Sequence, residues 1–247
     1  MTAYDIHAVD GVKLLFTPTK PLDILISQTA VAKYQSIFSF MLKLVRAEEA
    51  LGRLQVSKLW KTRDEKMRRS IRFDDDELKC IFKLKHDMTV FLKGLETYVS
   101  CVGIREIWAA FGEIVESILG RSNQDAAIRT IEEIEKLHQG ALDRIQYRLF
   151  LRHKQEPVLK LLHGLLQLIL DFSRCVANVY DERSLQVKEI EEKWAQMKMM
   201  FVMIVEKRIE VERTRKTSSK VDLQVLENRK KDDVAAFEAL VSLCASR

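Results

Sequence analysis

Two residue types that interrupt helices are scarce in this sequence. Of 247 residues, eight are glycine and three are proline, at positions 18, 21 and 157. Proline removes a backbone donor and clashes with the preceding helical turn, so its absence from 22–156 and from 158–247 leaves two long stretches open to helix formation. The scarcity of both residues predicts an all-α protein.

The usual signatures of catalysis and cofactor binding are missing too. The five histidines form no H-E-x-x-H and no Cys/His cluster with the spacing of metal ligands. No G-x-G-x-x-G, G-x-x-x-x-G-K or G-x-S-x-G is present, which argues against nucleotide binding and a nucleophile elbow. Because function has to be argued from a site, we predict a non-enzyme with no catalytic residue, cofactor or metal ligand.

The sequence gives no sign of disulfides or of a membrane span. Its four cysteines are widely spaced without a C-x-x-C pair, and the N-terminus does not resemble a signal peptide, so we expect reduced thiols in the cytosol or nucleus. The most apolar run, 158–180, is interrupted by Lys160, Asp171 and Arg174, which argues against a transmembrane helix.

The charge is mild and its pattern does not favour nucleic acid. The formal net charge is +5, and basic residues elsewhere in the chain alternate with acidic ones along the predicted helices. Basic residues interleaved with aromatics, typical of nucleic-acid binding, are not found, so we predict no nucleic-acid partner. One stretch stands out: residues 58–72 carry seven basic and two acidic side chains. It is either a partner contact or an ordinary solvated loop, and the sequence favours neither.

What is present is helical periodicity over most of the chain. With 47% hydrophobic and 31% charged residues, the composition is that of one globular domain over residues 1–247. The pattern predicts a lead-in at 1–20, a basic connection at 61–74 and about six or seven long helices. These are 28–60, 74–100, 104–119, 125–151, 158–180, 181–216 and 221–246.

The entry into the first long helix has its own pattern. Pro21 is followed by Leu22, Ile24 and Ile26, whose alternation predicts a short extended segment. Ser27 then offers an N-cap hydroxyl. In the helix, an apolar stripe expected to pack against other helices consists of Val31, Tyr34, Phe38, Met41 and Val45, widened by Ile37, Leu44 and Leu51. Further along, Gly103 predicts a break or kink.

The helix predicted at 158–180 is apolar around most of its circumference. Its polar residues step by three or four, which places them in one narrow stripe: Lys160, His163, Gln167, Asp171, Arg174 and Asn178. Such a helix belongs at the centre of a bundle. Within the stripe, we expect Asp171 and Arg174 to form a local ion pair, and His163 to be an ordinary half-buried side chain.

The helix predicted at 181–216 carries a seam with coiled-coil spacing. Its residues are Val187, Ile190, Trp194, Met197, Phe201 and Ile204. This seam suggests an alternative function, that of a scaffold or adaptor protein that pairs with another helix through residues 187–204. The nearby methionines 197, 199, 200 and 203 either fill the core or form an adaptable peptide-binding face, and their place beside the seam favours core filling.

Three ordered blocks resemble one known family. The first is Pro21-Leu22 with the alternating isoleucines, followed by Tyr34, Phe38, Met41, Leu42 and Leu44. The second comprises Met88, Phe91, Leu92, Leu95 and Tyr98, with Trp108 and Phe111 downstream. The third comprises His138, Leu142, Asp143 and Ile145, running to Leu149 and Leu151. Together they look like the C-terminal domain of the gamma-tubulin complex proteins, with His138 in a structural role. Relative to that longer family, this chain is expected to be a distal part or a divergent, shortened member.

The resemblance implies a structural, non-catalytic role. A gamma-tubulin complex protein of this kind holds gamma-tubulin and associates with other complex proteins, so that a ring of gamma-tubulins nucleates a microtubule. It implies a location in the cytoplasm and cytoskeleton, at a microtubule organizing center or spindle pole. The residues expected to steer toward the acidic surface of gamma-tubulin are Arg63, Lys66, Arg68 and Arg69.

These four cations generate a first prediction. Their joint reversal to glutamate removes favourable long-range attraction, so we expect gamma-tubulin to be captured more slowly and less completely in a pull-down at low salt. Unchanged capture would exclude these residues from the interface.

Overall fold

The computed structural model of the protein describes residues 5–20, 22–54, 75–120, 127–177, 184–214 and 223–245. These residues form helices and connecting turns, with no strand among them, which confirms the predicted all-α bundle. The α-helices are α1 (Leu22–Leu25), α2 (Gln28–Gly52), α3 (Asp75–Thr97), α4 (Glu106–Leu119), α5 (Ala127–Arg148), α6 (Glu156–Ala177), α7 (Ser184–Thr214) and α8 (Leu223–Ala245). Short 3-10 turns span Ile6–Val9 and His153–Gln155, and a π-helical segment spans Tyr98–Arg105.

The start of α2 is as predicted, but its end and the residues before it are not. Ser27 caps α2 by accepting a hydrogen bond from the amide of Ala30. The helix stops at Gly52 instead of continuing toward position 60. The segment expected to be extended forms α1, in which the amide of Ile26 donates to the carbonyl of Leu22 at 2.9 Å. Leu22 and Ile26 are four apart, so a short alternating pattern fits one helical turn equally well.

Gly103 does not break the chain. It lies within the π-helical segment that joins α3 to α4 without a gap. A Cβ added at Gly103 would come within 2.8 Å of the Cδ2 of Leu149, the residue that follows the end of α5. The glycine is needed for the close approach of two elements. The predicted break is not seen, but the helix changes here from α-type to π-type hydrogen bonding.

Helix α6 is largely buried, as its pattern predicted. Its buried residues are Leu162, Leu165, Leu166, Leu168, Ile169, Leu170, Phe172, Ser173, Cys175 and Val176. Helices α2 and α7 and the first 3-10 turn pack against it. The polar stripe keeps partial exposure where it is described, and Arg174 pairs with Asp171 at 3.3 Å, the predicted ion pair.

One buried cation ties the rest of the bundle together. Arg148, at the end of α5, is only 2% exposed. Its Nε donates to Asp233 of α8 at 3.0 Å, and its Nη1 donates to the carbonyl of Val102 at 2.7 Å and to Glu106 at 3.1 Å. The hydroxyl of Tyr98 donates to the carbonyl of Arg148 at 2.9 Å. A guanidinium is tolerated at such depth only when its donors are paired in this way.

The seam on α7 packs against other helices of the same chain. Val187, Ile190, Trp194 and Phe201 are buried, and the ring of Phe91 on α3 meets Trp194 and Phe201 edge-on at 5.2 and 6.0 Å between centroids. Helices α3, α6 and α8 occupy the sides of α7. The apolar face needed by the adaptor alternative is therefore covered by this chain at Val187, Ile190, Trp194 and Phe201, and Ile204 at its end is half-buried.

Three of the four methionines beside the seam do not fill the core, contrary to the interpretation that the sequence favoured. Met197 packs over Gly164 of α6, but Met199, Met200 and Met203 are exposed. Residues 199, 200 and 203 lie on the opposite side of α7 from Trp194, Phe201 and Val205. Proximity in sequence to a buried face does not place a helical residue on that face.

The lead-in is held across α2 and α6 by polar contacts. The amide of Ile6 donates to the Oε1 of Gln167 in the stripe of α6 at 2.8 Å. Asp10 accepts a hydrogen bond from Ser39 at 3.1 Å and pairs with the buried Lys43 at 2.8 Å, both on α2. Partial burial works against the charge of Asp10, but these partners together with His7 lower its pKa to about 2. The lead-in is thus fixed by an ionised carboxylate bonded to α2.

His163 lies under the lead-in, with its ring edge-on to His7 at 5.3 Å between centroids. Burial is the main cause that lowers the pKa of His163, to about 4, and the neighbouring charge of Lys43 acts in the same direction. Because the unfolded chain binds a proton near pH 6.5 and the folded chain does not, folding stability is lost as the pH falls from there toward 4.

A pH prediction follows from this shift. His163→Gln has no proton to take up, so the variant should lose less stability than the wild type between about pH 7 and about pH 4.5, as measured by urea unfolding midpoints. His153→Gln, at a side chain 96% exposed, is the matched control and should follow the wild type. Parallel curves for wild type and His163→Gln would contradict the shift.

A matched pair of glycines tests the packing of α8. A Cβ at Gly94 of α3 would overlap the carbonyl oxygen of Leu243 and lie 2.9 Å from its carbonyl carbon, whereas at Gly112 of α4 it would meet nothing within 4 Å. Gly94→Ala should destabilise the fold by about 1–3 kcal/mol because backbone must move. Gly112→Ala should stabilise it by about 0.5–1 kcal/mol. Denaturant unfolding measures both, and equal effects would show that α3 and α8 are not in such close contact.

Candidate partner-binding surface

The four cations singled out from the sequence, Arg63, Lys66, Arg68 and Arg69, lie outside the described residues, as does the whole basic connection at 61–74. Their proposed role stays a prediction. The described residues offer a different surface, which is apolar.

One side of α2 faces outward with apolar side chains. Val45 is 57% exposed and Met41 is also exposed, and Phe38 and Leu42 on the same side are half-buried. The sequence pattern placed Met41 and Val45 in a packed stripe, and that prediction was wrong. Ile37, Leu44 and Leu51, which widened the predicted stripe, are buried as expected. The complete apolar buried face of α2 is Ala30, Ile37, Phe40, Leu44, Ala47 and Leu51. Helix α2 has two apolar faces, and the bundle covers one of them.

The lead-in extends this apolar side. The side chain of Gln35 makes two hydrogen bonds to lead-in backbone: its Oε1 accepts from the amide of Leu14 at 2.6 Å, and its Nε2 donates to the carbonyl of Val12 at 2.9 Å. These bonds fix 12–14 against α2 at Gln35. Val12, Leu14, Leu15 and Phe16 are all exposed, Leu15 to 89%.

We call Val12, Leu14, Leu15, Phe16, Phe38, Met41, Leu42 and Val45 the lead-in/α2 surface. Single exposed apolar residues are ordinary, but a grouped set on a fixed backbone is typical of a protein-binding surface. The sequence signal was available: the run V-K-L-L-F at 12–16 is apolar and lies outside every helical pattern.

An aromatic cluster fixes the first turns of α2. The hydroxyl of Tyr34 and the Nε2 of His138 on α5 are 2.9 Å apart, and the rings of Trp108 and Phe111 on α4 lie 5.8 and 6.0 Å from the imidazole. Burial lowers the pKa of His138, and the nearby carbonyl of Leu25 offsets this only in part, so the imidazole is neutral at neutral pH.

The cluster has a structural role, as the sequence predicted for His138. It joins α2, α4 and α5 at the N-terminal end of α2, where Lys33 also pairs with Asp143 of α5 at 2.6 Å. A neutral imidazole bonded to a phenol and enclosed by rings is positioned for packing. The lead-in/α2 surface is therefore built on a helix that neighbouring elements hold in place.

Other kinds of site were sought in the same residues. Within the described ranges, no three or more histidine, cysteine, aspartate or glutamate side chains come together as a metal would require. The helices described here include none with the length and apolar character to cross a bilayer.

The sequence matches a known family along almost its whole length. The pattern of the family described as gamma tubulin complex component C-terminal matches residues 1–242. Two curated relatives are gamma-tubulin complex component 6 from Homo sapiens, 27% identical over 152 residues, and its counterpart from Mus musculus, 26% identical over 152 residues. The matched region covers 62% of this chain and 8% of each relative. The chain belongs to the gamma-tubulin complex component family and corresponds to its C-terminal region.

Proposed function

We propose that this chain is a non-catalytic gamma-tubulin-binding component of a microtubule-nucleating complex. Membership of the family supports a place in a gamma-tubulin complex. The observation that supports a docking role most directly is the lead-in/α2 surface, an exposed apolar face on fixed backbone. We assign gamma-tubulin to that surface.

The physical basis of the assignment is the way the surface is held. The hydrogen bonds of Gln35 and the carboxylate of Asp10 fix the lead-in before any partner arrives. A surface that is already ordered loses little conformational entropy when it binds, so more of the apolar contact is available as affinity. Large apolar side chains at the centre of an interface commonly dominate its free energy.

The wider role is positional. When several such components stand side by side with other gamma-tubulin complex proteins, each holds one gamma-tubulin, and the ordered array lowers the entropic cost of assembling a microtubule nucleus. The basic residues Arg63, Lys66, Arg68 and Arg69 would add attraction at long range and raise the association rate. This role places the protein in the cytoplasm, at the microtubule organizing center or spindle pole.

Two charge insertions test the surface. Val45→Asp and Leu15→Asp each put a carboxylate into an apolar contact, and we expect each to weaken gamma-tubulin binding at least about tenfold. Affinity is measured with the purified 247-residue chain and gamma-tubulin, and circular dichroism checks that each variant is folded.

Ile114→Asp supplies the matched control. Ile114 is an exposed apolar residue of α4 that does not belong to the lead-in/α2 surface. It should bind like the wild type. If Val45→Asp and Leu15→Asp also bind like the wild type, the lead-in/α2 surface is not where gamma-tubulin docks.

A further inference from the structure

A groove separate from the lead-in/α2 surface lies where the turn after α5, the start of α6 and the second half of α7 meet. Its volume is about 220 Å³. Apolar side chains from two helices form its walls, Val158 from α6 with Ile204 and Val211 from α7. Three cations border them: Lys154, Lys207 and Arg208. No carboxylate is among the residues that line it.

The positive charge of this groove is only partly balanced by the chain. Arg208 lies 3.5 Å from Glu212 and donates to the hydroxyl of Tyr147 at 3.2 Å. Lys154 and Lys207 are exposed, and neither forms an ion pair within the described ranges. An apolar floor with two uncompensated ammonium groups at its edge is complementary to an apolar side chain flanked by carboxylates.

A buried amide fixes the turn beside the groove. Gln155 is 3% exposed, and its Nε2 donates to the carbonyl of Tyr147 at 2.9 Å, which holds the 3-10 turn before α6 against the end of α5.

Exposed methionines lengthen the groove along α7. Met200, Ile204, Lys207 and Val211 follow one another at steps of four, three and four, so they share one side of the helix, with Met203 next to Lys207. Met200 is 51% exposed, although it is a large apolar side chain. Thioether side chains adapt their shape to a partner and are favoured on surfaces that bind amphipathic helices.

We propose that this groove binds an acidic amphipathic helix of another protein. The helix lays its apolar face on Met200, Ile204 and Val211 and brings its carboxylates to Lys154 and Lys207. An anionic membrane has the same charge, but a bilayer surface is broad and enters no groove of this size. This inference does not depend on where gamma-tubulin binds, because the two surfaces share no residue.

The probe is a fluorescein-labelled helical peptide with leucines along one face and glutamates on the other, titrated with the full chain and followed by anisotropy. We expect saturable binding that weakens with salt. The double variant Lys154→Glu, Lys207→Glu should lower the affinity about tenfold or more, because attraction becomes repulsion. Lys188→Glu, at an exposed lysine on a different face of α7, should leave it unchanged.

A matched pair of methionine variants tests the apolar contacts of the groove. Met200→Ser should weaken peptide binding severalfold, and Met199→Ser should not, because the two are about equally exposed but about 100° apart around α7. A peptide with glutamine in place of glutamate should bind poorly. The proposal is overturned if the peptide does not bind, if the double lysine variant binds it as well as the wild type, or if anionic vesicles are bound while the peptide is not.

Discussion

The polar stripe of α6 is the constraint on which the rest of the arrangement depends. A helix so apolar must be surrounded, and α2 and α7 cover it on two sides. An apolar surface would leave the polar side chains of this stripe without hydrogen bonds, so the lead-in covers it instead. The amide of Ile6 donates to Gln167, and the ring of His7 lies edge-on to His163. That placement carries the lead-in across α2, where Gln35 holds 12–14 and four large apolar side chains of 12–16 are exposed.

The residues that carry the family resemblance divide into two roles. Met88, Phe91, Leu95 and Leu142 become core, as apolar residues at helical spacing generally do. Tyr34 and His138 bring α2 and α5 together in a polar contact among aromatic rings. Both roles serve rigidity. A component whose work is to hold a partner at a fixed place needs a frame that does not change when the partner binds.

Much of the fold was predictable from sequence, whereas the surface was not. The shortage of proline, the cap at Ser27 and the stripe of α6 each have one physical interpretation, and each was confirmed. The wrong predictions concern choices that periodicity leaves open: which of two apolar faces of α2 is buried, and whether five residues around Leu22 form a strand or a turn of helix. Tertiary packing makes those choices. Met41, Val45 and Met200 are exposed because other helices already fill the core, a fact that no local pattern contains.

Hydrogen exchange of the chain with and without gamma-tubulin tests the central claim most directly. If the lead-in/α2 surface is the docking site, backbone amides of 12–16 and 38–45 gain protection in the complex, and those of 200–211 keep the rates of the free chain. Protection confined to other parts of the chain, with 12–16 exchanging as fast in the complex as alone, would contradict the account.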